Sequence, residues 1–487
     1  MNKSKSPKLG INIIYQLIYQ GVTVLSPLIV TPYISRILGA EEIGKYSYAY
    51  SIAYYFVLIA GLGINAHGTR QIATAKNDRE SLENTYSDLF WLHLATSTIT
   101  TLAYIVIILC GLNRDNQKLS LIMIFYLLSA VVDVKWVFQG LENFRVTVLR
   151  SVIIKVIYIA AIFVFVRGRE DTAVYTFIMA FVAFFLSEAS LFVLTPKYIK
   201  LRKPNINRIM CEVKPLFLLF IPSVANLLLR HFDKVMLGTL STYQQLGFYE
   251  NSDKIFTILS TVITAVGDVL LPRISNLLAS NDNERANKIF TFALRIGIIT
   301  SCAFSFGIIS IAPEFVPLFF GQEFVECIQI VRWIAPSIIM VAFSVSIRKQ
   351  FLIPRYKNKV YIVATTAGLL CNLIGNIILI PQHGAMGAVY ATLIAELTVI
   401  ASQFSMIRNE LDYRPFIKDL FVSCIIGCIM FIFVRVTSFI PLDGIAQLLI
   451  EIFVGIISYS VVIFLYMKIA NDELLKYAMN IIDRRKM

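Results

Sequence analysis

Apolar stretches of about 20 residues recur along the whole chain, the length an α-helix needs to cross a hydrocarbon core. Fourteen can be counted, near residues 11–37, 45–66, 87–112, 119–138, 147–166, 173–196, 214–238, 248–272, 289–313, 325–347, 358–381, 384–407, 416–439 and 445–468. Composition agrees: the chain is 57% hydrophobic and 15% charged, with a mean hydropathy of +0.71. A soluble domain of this length could not hide so much apolar surface. The expected fold class is therefore an all-α membrane protein with about 14 transmembrane helices. Met1 to Lys8 is short and basic, and no small-residue cleavage site follows at the right distance, so the first span is expected to be retained.

The loops sort by charge. One side carries Lys3, Lys5 and Lys8, Lys76 and Arg79, Arg145 and Arg150, and the basic stretch from Lys197 to Arg208. The same side carries Arg285, Lys288, Arg355, Lys357, Lys359, Arg408, Arg414 and the tail from Lys476 to Lys486. The other side holds little beyond Arg36, Lys45, Arg114, Lys118, Arg167 and Arg169. The positive-inside rule then places both termini in the cytoplasm, as an even number of spans requires. The net charge of +13 is explained by this topology and by attraction to anionic lipid, without nucleic acid.

The chain also repeats itself. Leu38-Gly39, Gly44-Lys45-Tyr46 and Arg70 are echoed by Leu237-Gly238, Gly247-Phe248-Tyr249 and Arg273, with 24 residues from Tyr to Arg in both copies. Ala173-Val174-Tyr175 is echoed by Ala388-Val389-Tyr390. Six spans separate the copies, so both face the same way, the parallel repeat of a transporter whose halves rock around a shared site. The spacing predicts an N-terminal lobe over 1–204 (spans 1–6), a second over 205–410 (spans 7–12) and an appended pair with its tail over 411–487.

Ionisable residues inside spans are costly and face a wet interior. Arg230, Asp233 and Lys234 share one helix face in the seventh span, and Glu250, Asp253 and Lys254 repeat the spacing in the eighth. They form either a self-neutralising ion-pair set or the polar wall of a cavity whose surplus cations face an anionic substrate. Asp133, Lys135, Glu142, Arg145, Arg150 and Lys155 cluster near the inner ends of spans 4 and 5. Arg145 and Arg150 double as topology signals, whereas Lys155 sits about a turn deeper. Asp133, Glu188, Asp233 and Asp253 are the candidates for ion coupling. Pro27 and Pro32 in the first span, and Pro215 and Pro222 in its repeat partner, offer bends that either gate a passage or pack statically. Aromatic faces on the first two spans, Tyr46, Tyr50, Tyr54 and Tyr55 among them, can stack on sugar rings, although interface belts explain most such residues.

No Gly-rich phosphate loop is present and the cysteines and histidines show no metal spacing, so no cofactor or metal is expected. No external loop is long enough for a folded catalytic domain.

The stretch Ser26 to Gly39 through Gly44-x-Tyr46, then Gly68-Thr69-Arg70-Gln71-Ile72-Ala73, resembles the bacterial polysaccharide flippase family, often called Wzx, and so does Trp136-Val137-Phe138-Gln139-Gly140-Leu141-Glu142. These transporters carry O-antigen, capsule and teichoic-acid repeat units. They share a superfamily with the multidrug and toxin extrusion (MATE) antiporters and the lipid II flippase. The resemblance implies two six-helix lobes, MATE-like, around a cationic cavity in the bacterial plasma membrane. The implied substrate is an oligosaccharide on a polyprenyl diphosphate, turned outward by a non-enzymatic transporter that neighbours a glycan polymerase or ligase. Arg36, Arg70 and Arg273 match family or repeat positions, and Arg70 and Arg273 would meet the diphosphate at the inner mouth. An ion-coupled multidrug antiporter and a membrane-bound polysaccharide polymerase are the alternatives. A cation-rich interior argues against the first and the short external loops against the second.

Overall fold

The computed structural model describes residues 6–440, 442, 444–472 and 474–476, and the side chains at 6–20, 144, 218, 219, 221–230 and 266 fall outside that description. Among the described residues the chain is helical and has no strand. Hydrocarbon leaves no other economical way to satisfy a backbone.

The first compact unit covers residues 1–247. It holds α1 (Ser6–Gly61), α2 (Ile64–Ala75), α3 (Arg79–Leu109), α4 (Gln117–Ile122), α5 (Ile124–Val131), α6 (Lys135–Gly140), α7 (Phe144–Phe165), α8 (Thr172–Phe177), α9 (Ser187–Leu194) and α10 (Ile206–Leu240). A π-helical segment, Ile178–Leu186, joins α8 to α9. The second unit, 248–487, holds most of α11 (Tyr243–Ala279). It continues with α12 (Asn283–Phe320), α13 (Cys327–Ile334), α14 (Pro336–Ser346), α15 (Asn358–His383), α16 (Ala385–Ile407), α17 (Arg414–Thr437) and α18 (Gly444–Ile469). A second π segment, Ile347–Leu352, follows α14.

Twelve segments of the described residues are long and apolar enough to cross a membrane. The first, Gly21–Ala75, has 55 residues, length for two crossings. α10 adds 35 residues whose apolar middle includes side chains outside the description. The count expected from sequence, about 14, follows from these lengths. Helical geometry is kept through Pro27 and Pro32, and the break in α1 comes at Gly39, where φ is 77°. That left-handed conformation favours glycine. In the second copy of the repeat, α10 instead stops at Leu240 and extended Ser241 leads into α11.

The two copies meet within the first unit. A Cβ at Gly44 would collide with the carbonyl oxygen of Tyr243, and a Cβ at Gly247 with that of Ala40. Ala40 precedes Gly44 by four residues and Tyr243 precedes Gly247 by four, so each copy lends its glycine to the other's helix start. Tyr48 packs on Gly238 and its hydroxyl lies 3.1 Å from Thr239 Oγ1. The glycines are thus a requirement of backbone approach, not of turn geometry.

At the opposite, basic end, two of the sequence motifs become one structure. Gly68 of α2 lies under Trp136 of α6, with room for a Cβ only 2.6 Å from the indole, and Gly140 lies against Ile72. Thr69 Oγ1 donates to Gln139 Oε1 at 3.2 Å, and Lys76 pairs with Glu142 at 3.0 Å. Trp136, Val137 and Phe138 are fully buried in a core with Ile64, Ile72, Leu89 and Leu216.

In the second unit, α17 and α18 are tied to α12 by charge as well as by the Phe290, Phe416, Met430 and Tyr459 core. Arg295 of α12 reaches Asp419 of α17 at 2.6 Å and Asp472, just past α18, at 2.6 Å. Further along α12, Glu314 takes a fork from Arg435 of α17, at 2.8 and 2.9 Å. Burial pushes the Asp472 carboxyl up, but hydrogen bonds from Arg295 and the Leu474 N–H outweigh it and hold the group below the ordinary carboxylate range.

Two predictions follow from these contacts. Arg295→Gln should destabilise the detergent-solubilised protein by about 3–5 kcal/mol and so lower its thermal unfolding temperature. Arg285→Gln, which breaks an exposed pair with Asp282, should leave it nearly unchanged. Because the Asp472 pKa is depressed on folding, its contribution is full above about pH 4 and is lost as pH falls through the folded value. The acid dependence should therefore be shallower in Arg295→Gln. Gly44→Ala and Gly247→Ala should each cost about 1–3 kcal/mol by overpacking. Gly21→Ala, which meets open space, serves as the neutral control in the same melts.

Candidate functional site

The longest-range consequence of the first unit's folding is a polar cavity between its spans. Its volume is about 390 Å³, and it is walled by α1, α2, α3, α5, α6, α9, the first π segment and α10. Residues 132–134 leave the helix between α5 and α6. Asp133 caps the new start, its Oδ1 accepting from the Lys135 N–H at 3.0 Å, and the Trp136 indole donates to the Asp133 carbonyl at 3.2 Å. Lys135 is thereby aimed at α9, where Nζ meets Glu188 Oε1 at 2.5 Å. Glu188 is buried, and its Oε2 has no hydrogen-bond partner. His93 of α3, also buried, lies beside the carbonyls of Ala60 and Ala130 and the Asp133 carboxylate.

Aliphatic residues and a group of aromatic rings line the rest of the wall. Tyr126 and Phe184 lie 4.2 Å apart, ring centre to ring centre, and Tyr50 stacks on both at 5.4 and 5.7 Å. Tyr54, 5.9 Å from Tyr50, and Phe220 of α10 complete it. Phe184 belongs to the π segment, a geometry frequent at functional sites.

Two cations stand on α7, the helix beside α9. Arg150 is buried, and its guanidinium donates to Ser187 and Ser190 Oγ at 3.3 and 3.2 Å and to Ser151 Oγ at 3.1 Å. Lys155 Nζ donates to Thr23 Oγ1 of α1 at 2.6 Å. Hydroxyl partners fix the direction of a cation.

The other residues singled out in the sequence lie apart from this cavity. Arg36, Arg70, Arg145 and Arg273 are exposed. Asp233 and Lys234 of α10 are buried, on a stretch where His231 and Phe232 pack on Tyr54 and Tyr55 at 5.1 and 6.1 Å. In the second unit Lys254 pairs with Glu250 on its own helix at 3.5 Å, and Asp253 is half-buried beside it. The side chains of Arg230 and Pro222 lie outside the described residues. Helical spacing alone does not show that the chain leaves the helix at residues 132–134, just before Lys135. His93, Tyr126 and Phe184 carry no sequence signal that sets them apart from core residues. Nor does the pair of Asp268 on α11 with Lys349 of the second π segment, at 2.5 Å.

The family described as "Polysaccharide biosynthesis protein" matches residues 9–278, more than half of the chain and all of this cavity. The chain belongs to that family. Within it, two relatives named putative O-antigen transporter, from Shigella dysenteriae and Escherichia coli (strain K12), are each 23% identical, over 398 and 420 residues. They cover 82% and 84% of this chain and 99% of their own lengths. A probable low-salt glycan biosynthesis flippase of Haloferax volcanii is 23% identical over 253 residues, 51% of this chain and 53% of that protein. Among solved structures, the lipid II flippase MurJ in an inward closed conformation superposes with a TM-score of 0.75 at 16% identity, over 94% of this chain and 99% of that one. An inward-facing MATE-family multidrug resistance transporter gives 0.56 at 16% identity, over 82% and 100%. At these identities the likeness shows the fold, an all-helical MATE- and MurJ-like architecture.

The cavity yields its own prediction. Lys135→Ala leaves the buried Glu188 carboxylate without its hydrogen-bonded cation; because the lysine is partly exposed, the cost in unfolding experiments should be about 1–2 kcal/mol, below that of a fully buried pair. Adding Glu188→Gln should restore most of the loss, a coupling that a double-mutant cycle reads directly.

Proposed function

We propose that this family member flips polyprenyl-diphosphate-linked oligosaccharide repeat units from the cytoplasmic to the outer leaflet of a bacterial plasma membrane. It does so by alternating access, as a transporter and not an enzyme, with both termini in the cytoplasm. The observation that carries this reading is the family match combined with relatives named O-antigen transporters that align over 99% of their lengths. On this reading residues 1–204 and 205–410 act as the two lobes and 411–487 as an appended pair. A glycan polymerase or ligase of the same pathway takes the product.

The physical task is to carry a charged diphosphate and a polyhydroxylated glycan past hydrocarbon while the isoprenoid tail stays in lipid. A diphosphate needs donors and positive charge inside a water-filled passage. Arg150 and Lys155, set by Ser187, Ser190 and Thr23, are the first unit's intramembrane cations suited to it. Arg offers a planar fork for phosphate oxygens and Lys a point charge. Lys234, Lys254 and Arg230 are further candidates on α10 and α11, and exposed Arg70 and Arg273 suit the entry. Asp133, Glu188, Asp233 and Asp253 remain the candidates for ion coupling, and Pro27, Pro32 and Pro222 for gating.

Deleting the gene in a strain without a redundant transporter should make lipid-linked sugars accumulate on the cytoplasmic leaflet. Normal surface polysaccharide without accumulation overturns the proposal. Arg150→Gln and Lys155→Gln should each slow flipping in reconstituted vesicles by about 10- to 100-fold, the worth of a charge-assisted hydrogen bond. Protein abundance in the membrane should be unchanged, and full activity would leave these two cations as packing residues.

A further inference from the structure

Within that reading, on which this inference rests, we propose that the first unit's cavity is a saccharide subsite. It takes one pyranose ring of the lipid-linked glycan, separately from the cations that meet the diphosphate. The volume of 390 Å³ lies in the lower part of the range for small-molecule pockets, ~300–1,000 Å³, and suits a single sugar ring.

The two ends of the cavity match the two faces of a pyranose. A sugar ring presents axial C–H bonds on its flat face and hydroxyls around its rim. Tyr126 and Phe184 are packed against each other and against Tyr50, and Tyr54 lies tilted against Tyr50 in turn. The electron-rich faces of such rings attract C–H groups, and here they lose little entropy on binding because they are already held. The rim would meet the Asp133, Lys135 and Glu188 end. Lys135 and Glu188 cancel as charges yet keep donors and acceptors, which favours an uncharged polyol over a phosphate.

A second observation points to a ligand. Glu188 lines the cavity and is 6% exposed, and its buried Oε2 has no hydrogen-bond donor among the described residues. A buried carboxylate oxygen left so is costly, and a sugar hydroxyl supplies the missing donor. Asn65 and Ser129 offer further hydrogen-bonding groups to the same rim. A substrate held at two points, diphosphate on cations and one sugar in this cavity, is also oriented in the passage, so the glycan's identity would be read at the membrane-embedded stage.

The test uses the full chain in lipid nanodiscs and two probes, polyprenyl diphosphate without sugar and polyprenyl-diphosphate-linked N-acetylglucosamine. The wild type should bind the sugar-bearing probe about tenfold more tightly, the worth of one aromatic contact plus one hydrogen bond. Tyr54→Ala should erase that preference and leave affinity for the bare diphosphate unchanged, Tyr54→Phe should keep it, and Glu188→Gln, which weakens the acceptor, should reduce it. Equal binding of the two probes by the wild type overturns the subsite alone. Equal losses for both probes in the variants assign these residues to structure and overturn it as well. A Glu188-dependent stabilisation by sodium ions, with no sugar preference, makes the cavity a cation site instead. Failure of the wild type to bind either probe overturns the flippase reading itself.

Discussion

Hydrocarbon offers no hydrogen-bond partner, and that one constraint runs through every part of this structure. It makes the regular elements among the described residues helices. It also decides how polar side chains are placed. Arg295 is forked between Asp419 and Asp472, Arg435 grips Glu314, Lys349 meets Asp268, and Lys135 meets Glu188. Each pair joins different helices, so the groups that lipid will not solvate become the rivets between spans. Where the remaining partner is buried, as with Asp419 or Glu188, removing the other is costly.

Helix packing under the same constraint asks for small residues, since lipid tails provide no hydrophobic force between spans. The reciprocal approach of Gly44 to Tyr243 and of Gly247 to Ala40 is the clearest case. Two copies of one sequence element meet so closely that neither position tolerates a Cβ. At the other end Gly68 makes room for Trp136 and Gly140 for Ile72. The repeat and the motifs are therefore the record of backbone contacts.

The cavity of the first unit is one place where polar groups are not fully matched. Glu188 keeps one oxygen without a donor, and its neighbours are rings already locked against each other. Buried polar atoms of this kind persist where something other than stability is served. For a family of polysaccharide biosynthesis proteins, the class of molecule with both an apolar face and a rim of hydroxyls is close at hand.

Much of the architecture was legible in the chain itself. Apolar runs of helical length set the spans, because bilayer thickness is a fixed ruler, and the Tyr46–Arg70 and Tyr249–Arg273 spacings marked the duplication. Glu250 with Lys254 was readable from the four-residue helical spacing, and the structure pairs them. What only the tertiary structure decided are the contacts between spans. Lys135 finds Glu188, 53 residues on, only because the helix breaks at Asp133, and Tyr126, Phe184 and His93 become cavity walls only once α3, α5 and the π segment pack. Periodicity assigns a residue to a face of its own helix. Which other helix that face will meet depends on packing among all of them, and no local pattern carries that information.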